Sequence, residues 1–254
     1  KDGDVVGEGG RGGRKDVRNA VEAARKAQAA WAARTAHNRA QILFYLAENL
    51  EARRDEFAQR LARFSGDPRD ASAEVDAAVS RLFSYAGWAD KWDGRVHATP
   101  LRNVTLAMHE PVGVVGAVCP DERPLLALVS MLGPLVATGN AVVVVPSGVA
   151  PLAATDFYQV LDTSDVPGGV VNIVTGLHDE VVSTLAAHDD VDGIWYFGSA
   201  NGSGAVERVS TGNMKRTWVT YGVATDWMSP AAGQGHEFLR QATQVKNIWI
   251  PYGE

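Results

Sequence analysis

The feature that most constrains the fold is a regular alternation of short apolar strands with helical segments, which begins at Val112. Strands are predicted at 112–118, 141–145, 170–174, 194–197 and 216–220. Their spacing is typical of βαβ units, in which consecutive strands are parallel. The run Val142–Val145 is apolar on both faces, so helices should cover both sides of the sheet. We therefore predict an α/β fold built on a doubly wound parallel sheet.

The residues before this alternation are predominantly helical in pattern. Residues 1–15 are Gly-rich and charged, and we interpret them as an entry segment. Apolar side chains then recur at the helical spacing of 3.6 residues in four stretches. These stretches are 16–31, 38–50, 57–64 and 70–91.

Two shorter segments have the two-residue period of strands. One alternate face of the first segment carries Val104, Leu106 and Met108. This alternation indicates a half-buried strand, and the segment around Val96 can pair with it. We interpret 95–110 as a projecting two-stranded element. The tail at 245–250 is predicted to form a final apolar strand, and the intervening 222–236 is too short for a further domain.

Composition and charge exclude several classes of protein. A net charge of −6 argues against a nucleic-acid binder, which needs clustered Lys and Arg. Cys119 is the only cysteine, so we expect no internal disulfide and a reducing, cytoplasmic setting. The six histidines lack the spacing of metal ligands, so no metal site is expected. We find neither a run of about 20 apolar residues nor a signal peptide, and expect no membrane association.

Three stretches resemble the aldehyde dehydrogenase superfamily in content, order and spacing. They are Glu110–Pro120, Leu132–Val143 and Val166–Gly176. The closing segment 233–250 is similar to that family's C-terminal oligomerisation strand. The resemblance implies a Rossmann-type cofactor domain and a small β oligomerisation element. The implied division is 1–94 for the helical part of the cofactor-type domain, 95–110 for the projecting β element, 111–222 for the parallel sheet, and 223–254 for a linker and the oligomerisation-type strand.

The family's central chemistry has no counterpart in this sequence. In the family, a cysteine thiolate attacks the aldehyde, the hemithioacetal passes hydride to a nicotinamide, and a Glu activates water. Here no cysteine follows Cys119, and the resemblance places a missing catalytic domain between about Gly222 and Gly235. Cys119 ends the first parallel strand, and we interpret it as a small buried residue rather than a nucleophile. The resemblance therefore implies no catalytic residue in this chain.

The smaller sites also depart from the family's pattern. Glu122 stands where the family has an Asn that donates a hydrogen bond to the oxyanion, and an ionised carboxylate cannot donate. Val145 and Gly148 stand where the family has the Lys and the acidic residue that hold the adenosine ribose. The family's general-base Glu aligns near Val219. All four roles are therefore expected to be lost.

The strongest alternative is a domain that still binds a dinucleotide. Gly198 and Ser199 begin a Gly-rich turn that follows a strand and opens a helix, as a phosphate cradle would. Glycine is equally what a tight strand-to-helix turn requires, and the loss of two ribose contacts would weaken binding by about 10²–10⁴. A new acid–base pair among Asp121, Glu122 and Arg123 is a further alternative, but charged loop residues are usually solvated.

These departures resemble one subgroup, the second, C-terminal unit of the class-sixteen aldehyde dehydrogenases, in which a complete enzyme unit is followed by a partial copy. The resemblance implies a non-catalytic oligomerisation domain without a cofactor of its own. The chain begins at Lys1, and we expect a longer polypeptide whose catalytic unit uses NAD. The expected partners are that catalytic unit and a second subunit, as in a homodimer, contacted through 95–110 and 245–250. The alternative is an autonomous dinucleotide-binding protein or an active NAD(P)-dependent aldehyde oxidoreductase.

Overall fold

Four helices precede the first strand. A computed structural model describes residue 5 and residues 7–252, so part of the predicted entry segment lies outside the described residues. The helices are α1 (Arg14–Ala32), α2 (Ala36–Ala52), α3 (Arg54–Ser65) and α4 (Pro68–Trp88). They confirm the four predicted helical stretches.

Local sequence determines where these helices begin and end. At the start of α2, the Thr35 hydroxyl accepts a hydrogen bond from the Asn38 N–H at 3.2 Å. The Asp67 carboxylate accepts from two N–H groups in the first turn of α4, where Pro68 needs no N–H. Gly66 ends α3 with a φ of 75°, a left-handed conformation that favours glycine. The chain turns at these helix ends, so α2, α3 and α4 pack against one another in one layer.

The centre of the molecule is the predicted parallel sheet. Its strands are β3 (Val114–Val118), β4 (Ala141–Val145), β5 (Val171–Ile173), β6 (Gly193–Tyr196) and β7 (Arg216–Val219). The intervening helices are α5 (Pro124–Ala137), α6 (Pro151–Asp162), α7 (His178–Ala187) and α8 (Ala200–Val209). All four strand pairings are parallel, in the order β5-β4-β3-β6-β7. This confirms the predicted doubly wound sheet.

Both faces of the sheet are buried. Along β4, Val142 and Val144 join the core on the side of α2 to α6, whereas Val143 and Val145 join a second core on the opposite side. The second core includes residues of α1 and α7, such as Val21 of α1. An apolar strand is required here because no face of β4 contacts water.

A connector follows β7 and leads to the end of the chain. It contains two short helices, α9 (Pro230–Gly233) and α10 (His236–Gln241). The Arg81 guanidinium, which is 2% exposed, donates hydrogen bonds to the Trp227 carbonyl and to the Ser130 hydroxyl. Around it lies an aromatic cluster of Trp195, Phe197, Trp218, Trp227 and Phe238. The connector is thus packed against α4, α5 and the sheet.

A separate antiparallel sheet contains β1 (Arg95–His97), β2 (Asn103–Pro111) and β8 (Thr243–Pro251), in the order β1-β2-β8. The predicted half-buried strand is confirmed, but its buried face carries Thr105 and Ala107. The apolar face, with Val104 and Met108, is exposed. The side of His109 is the one that faces the core, because its ring stacks on Trp92.

The predicted final strand is confirmed, and β2 of the same chain pairs with one of its edges along its whole length. The register places Trp249 opposite Thr105, on the face away from Ile248 and Ile250, because strand side chains alternate. One edge of β8 remains outside the three-stranded sheet.

Candidate functional site

The candidate site lies at the carboxyl ends of the parallel strands. The chain leaves β3 toward β4 and β5 on one side, while β6 and β7 lie on the other, so the order reverses between β3 and β6. Ligands of doubly wound sheets bind at such switch points. A cleft of about 410 Å³ occupies this position. Its lining includes Cys119, Asp121, Glu122, His178, Tyr196, Gly198, Ser199 and Trp227.

Asp121 organises the turn that follows β4. Its Oδ1 accepts hydrogen bonds from the Ser147 hydroxyl at 2.8 Å, the Gly148 N–H at 2.9 Å and the Val149 N–H at 3.3 Å. Asp121 is exposed, as expected of a charged loop residue, but the structure corrects the expectation that solvent is its only partner. The Gly148 N–H, which stands where the family has a ribose contact, is engaged within the chain.

Arg123 was also interpreted as solvated, and the structure corrects this as well. Its guanidinium forms an ion pair with Asp70 at 2.6 Å and lies 3.9 Å from the buried carboxylate of Glu74. Arg123 has a φ of 53°, which turns the chain sharply into α5. Glu122 is exposed on the cleft wall.

His178, the first residue of α7, contacts the same turn after β4. Its Nε2 lies 2.7 Å from the carbonyl oxygen of Pro146. Because a carbonyl oxygen only accepts, Nε2 must carry the proton and donate. Asp121, in the loop after β3, and His178, at the start of α7, therefore hold residues 146–149.

Tyr196 covers the Gly-rich turn that we considered as a phosphate cradle. A Cβ at Gly198 would come within 2.7 Å of the Tyr196 ring, and a Cβ at Gly202 would overlap the Tyr196 hydroxyl. The Ser199 hydroxyl caps α8 by accepting from the Gly202 N–H at 3.1 Å. Packing against Tyr196 thus explains why glycine is needed at both positions.

The remaining predicted positions carry no exposed polar group. Val145 is fully buried and belongs to the core on the side of α1 and α7. Val219 ends β7 and packs against the same core. None of the cleft-lining residues in the described part of the chain is Lys or Arg. The only formal charges on the cleft wall are the carboxylates of Asp121 and Glu122.

Cys119 lies beneath the cleft and is 2% exposed. Its N–H donates to the Val145 carbonyl at 2.9 Å, and its thiol belongs to the apolar core. Burial raises the pKa of the thiol to about 12. A thiol with such a pKa is almost entirely protonated near neutral pH and is a poor nucleophile.

Comparison with known proteins agrees with this fold. A model of the aldehyde dehydrogenase family matches residues 1–228. The chain belongs to the aldehyde dehydrogenase family. The three motif stretches that carry the resemblance all lie within the matched residues.

Individual relatives match across most of this chain but over less than half of their own length. The mitochondrial aldehyde dehydrogenase of Sus scrofa is 36% identical over 227 residues, which are 87% of this chain and 43% of that protein. The aldehyde dehydrogenase of Agaricus bisporus is 34% identical, over 82% of this chain and 42% of that protein. The structure of PnpE from Pseudomonas sp. WBC-3, also solved in complex with NAD, has a TM-score of 0.83 at 30% identity and covers 86% of this chain and 45% of PnpE.

Two further features of the described residues bear on the site. No three or more of their His, Cys, Asp and Glu side chains gather in an arrangement that could hold a metal ion. None of their helices is both long and apolar enough to cross a bilayer.

Sequence reasoning missed the contacts that fill the crevice of this aldehyde dehydrogenase domain. Asp121 bonds to residues 26 to 28 positions further along the chain, and His178 bonds to one 32 positions before it. No local motif marks such pairs. The sequence did contain a partial indication of the Tyr196 contact. Strand β6 ends at this aromatic residue, and two glycines, Gly198 and Gly202, follow it about one helical turn apart.

Proposed function

We propose that this chain is a non-catalytic, structural and oligomerisation unit of an NAD-dependent aldehyde dehydrogenase polypeptide. One observation carries the proposal: polar groups that line the crevice at the switch point are bonded to each other within the chain. Asp121 and His178 hold the turn at 146–149, and Tyr196 covers Gly202. Groups that could turn toward a ligand are thereby engaged within the chain.

The charge of the crevice supports the absence of a bound dinucleotide. A pyrophosphate is anionic, and the cleft carries two carboxylates, Asp121 and Glu122, with no Lys or Arg among its described lining residues. The N-terminus of α8 is a favourable feature, because its N–H groups attract anions. Ser199 already accepts from one of these donors. The residues present therefore do not fit the cofactor that family members such as PnpE bind.

The same argument applies to catalysis. The buried thiol of Cys119 has a raised pKa, so the only sulfur nucleophile of the chain is unreactive. We expect no oxidation of aldehydes with NAD or NADP in a steady-state assay over several aldehydes. Turnover that disappears in Cys119→Ala would contradict the proposal.

Titration calorimetry with NAD tests the proposal for the crevice. We expect no saturable binding at micromolar concentrations of the dinucleotide. Asp121→Asn removes one carboxylate charge from the cleft, and Asp162→Asn, on the exposed end of α6, is the matched control. A dissociation constant in the low micromolar range for the unmodified chain would instead favour the alternative, an autonomous dinucleotide-binding protein.

The three-stranded sheet supports the oligomerisation part of the proposal. Its outer face carries Val96, Val104, Met108 and Ile250, which are all exposed, and one edge of β8 is open to a further strand. Exposed apolar faces and open edges are characteristic of surfaces that another unit covers. The proposed partners are the catalytic unit of the same polypeptide and a second subunit.

Deletion of residues 243–254 from the longer polypeptide tests this role. We expect weaker self-association, or weaker docking of this unit, while the parallel sheet stays folded. Analytical ultracentrifugation measures the first and limited proteolysis the second. Unchanged association together with an unchanged melting temperature would leave β8 without the proposed role.

A further inference from the structure

A second cleft lies at the opposite end of the parallel strands from the crevice. It has a volume of about 330 Å³ and lies between the start of β7, the end of β2 and the start of β8. Its lining residues are His109, Arg216, Arg240, Thr243, Gln244 and Val245. We call it the Arg216 cleft. The proposed function uses β2 and β8 for assembly but gives no role to Arg216 or Arg240.

Arg216 supplies an uncompensated positive charge to this cleft. It is the first residue of β7, and its Nη1 donates to the Thr243 carbonyl at 2.6 Å. No carboxylate of the described residues lies within salt-bridge distance of its guanidinium. This hydrogen bond anchors Nη1 of the exposed Arg216 side chain and leaves the other N–H donors of the guanidinium available.

Arg240 adds a second guanidinium on the other wall. It pairs with Glu237 one helical turn earlier, and its side chain is 71% exposed. The neighbouring Gln244 is neutral, and its carboxamide donates to the Pro111 carbonyl at 3.4 Å. Two guanidinium groups and one carboxylate leave the cleft with a net positive charge, in a chain whose net charge is −6.

The back wall of the cleft is rigid. The His109 ring stacks on Trp92, with a centroid distance of 4.7 Å and an interplanar angle of 10°. The Trp92 indole N–H donates to the Thr243 hydroxyl at 3.1 Å, and that hydroxyl donates to the Leu239 carbonyl at 2.8 Å. Because these hydrogen bonds anchor Thr243, the carbonyl oxygen that accepts from Arg216 is held in a fixed position.

We propose that the Arg216 cleft binds one small oxyanion, a phosphate or a free carboxylate, between the guanidinium groups of Arg216 and Arg240. Guanidinium groups match the planar, bidentate geometry of such anions and bind them with charge-assisted hydrogen bonds. The site is at the amino ends of the strands, so it does not depend on whether the crevice at their carboxyl ends binds a dinucleotide.

Calorimetric titration of the whole chain with inorganic phosphate tests this site, with sodium chloride at matched ionic strength as the reference. A parallel titration with acetate distinguishes a phosphate site from a carboxylate site. We expect saturable binding of at least one of the two anions. Arg216→Gln should weaken it about tenfold or more, since it removes charge-assisted hydrogen bonds. Arg216→Lys should bind the anion with an affinity between those of the unmodified chain and Arg216→Gln. It keeps the positive charge but loses the planar guanidinium that can donate two parallel hydrogen bonds.

Arg69→Gln, an exposed substitution in the first turn of α4, is the matched control and should bind as the unmodified chain does. Melting curves of all variants identify any loss of folding. Two results would overturn the proposal: no saturable binding of either anion up to tens of millimolar, or equal affinity in Arg216→Gln and Arg69→Gln.

Discussion

Glu74 is a buried carboxylate that caps a helix to which it does not belong. It lies in α4 and is 4% exposed, and its Oε1 accepts from the N–H groups of Leu125 at 2.9 Å and Leu126 at 3.2 Å. These are the first N–H groups of α5, because Pro124 has none. Residues 125–137 of α5 are all buried, so water cannot replace the carboxylate.

We expect Glu74→Ala to reduce the free energy of unfolding by about 2–4 kcal/mol, since a buried, unsatisfied N–H costs about 1–3 kcal/mol. Glu74→Gln should cost about 1 kcal/mol or less, because both N–H groups bind the same oxygen and an amide oxygen can accept both. Urea denaturation at neutral pH measures both variants. Equal losses for the two would refute the capping argument.

The same residue predicts a pH dependence. Burial raises the pKa of Glu74 above its usual value, against the lowering effect of its hydrogen bonds to the two N–H groups. The folded state therefore binds the proton more tightly than the unfolded state. The resulting stabilisation is full below the unfolded pKa of about 4.3 and is lost as the pH rises through the folded pKa.

The difference in unfolding free energy between the unmodified chain and Glu74→Gln isolates this contribution from the other carboxyl groups. It should shift in favour of the unmodified chain as the pH falls from neutral toward about 4.5. A difference that stays constant with pH, or shifts the other way, would refute the raised pKa.

Three further substitutions or reactions test the packing. Cys119 should react with a thiol reagent only as fast as the chain unfolds, because its thiol is buried and its pKa is about 12; a rapid reaction of the folded chain in a spectrophotometric assay would contradict this. Gly202→Ala should lower the melting temperature, because the added Cβ overlaps the Tyr196 hydroxyl. Gly204→Ala lies in the same helix with open space around it, so it should be neutral or stabilise the chain by up to about 1 kcal/mol. Asn140→Ala should cost about 2–4 kcal/mol in urea denaturation, because the buried carboxamide accepts from the Gly113 N–H and its two N–H donors are shared among three nearby oxygens, one of them the Ala242 carbonyl. A loss below about 1 kcal/mol would contradict this role.

The parallel sheet could be predicted because its signal is local. Five consecutive apolar residues in β4 leave no face for water, and short apolar strands alternate with helical segments along the chain. The exposed face of β2 could not be predicted in the same way. The alternating pattern around Thr105 and Ala107 is compatible with either face of β2 pointing toward the core. In the structure these two residues are buried, and His109 on the same face stacks on Trp92.

The crevice was harder to predict than the fold. The sequence allowed Glu122, Val145 and Gly148 to be recognised as departures from the family's residues, because a local alignment is enough to compare identities. It could not show that Asp121 bonds to the turn at 147–149, since that contact exists only after β3 and β4 pair. A motif thus allows residue identities to be compared, whereas contacts such as those of Asp121 depend on the fold.

Two glycines in the motifs that identify the family are required by the backbone conformation. Gly113 has a φ of 133° and lies against Asp192, whose carboxylate accepts from the Val114 N–H at 2.7 Å. Gly169 has a φ of 87°, and a Cβ there would come within 2.7 Å of the Ala23 carbonyl. These positions would be retained by selection for folding alone, because any side chain would strain the turn. A family resemblance carried by these glycines therefore indicates the backbone fold and does not by itself indicate the reaction.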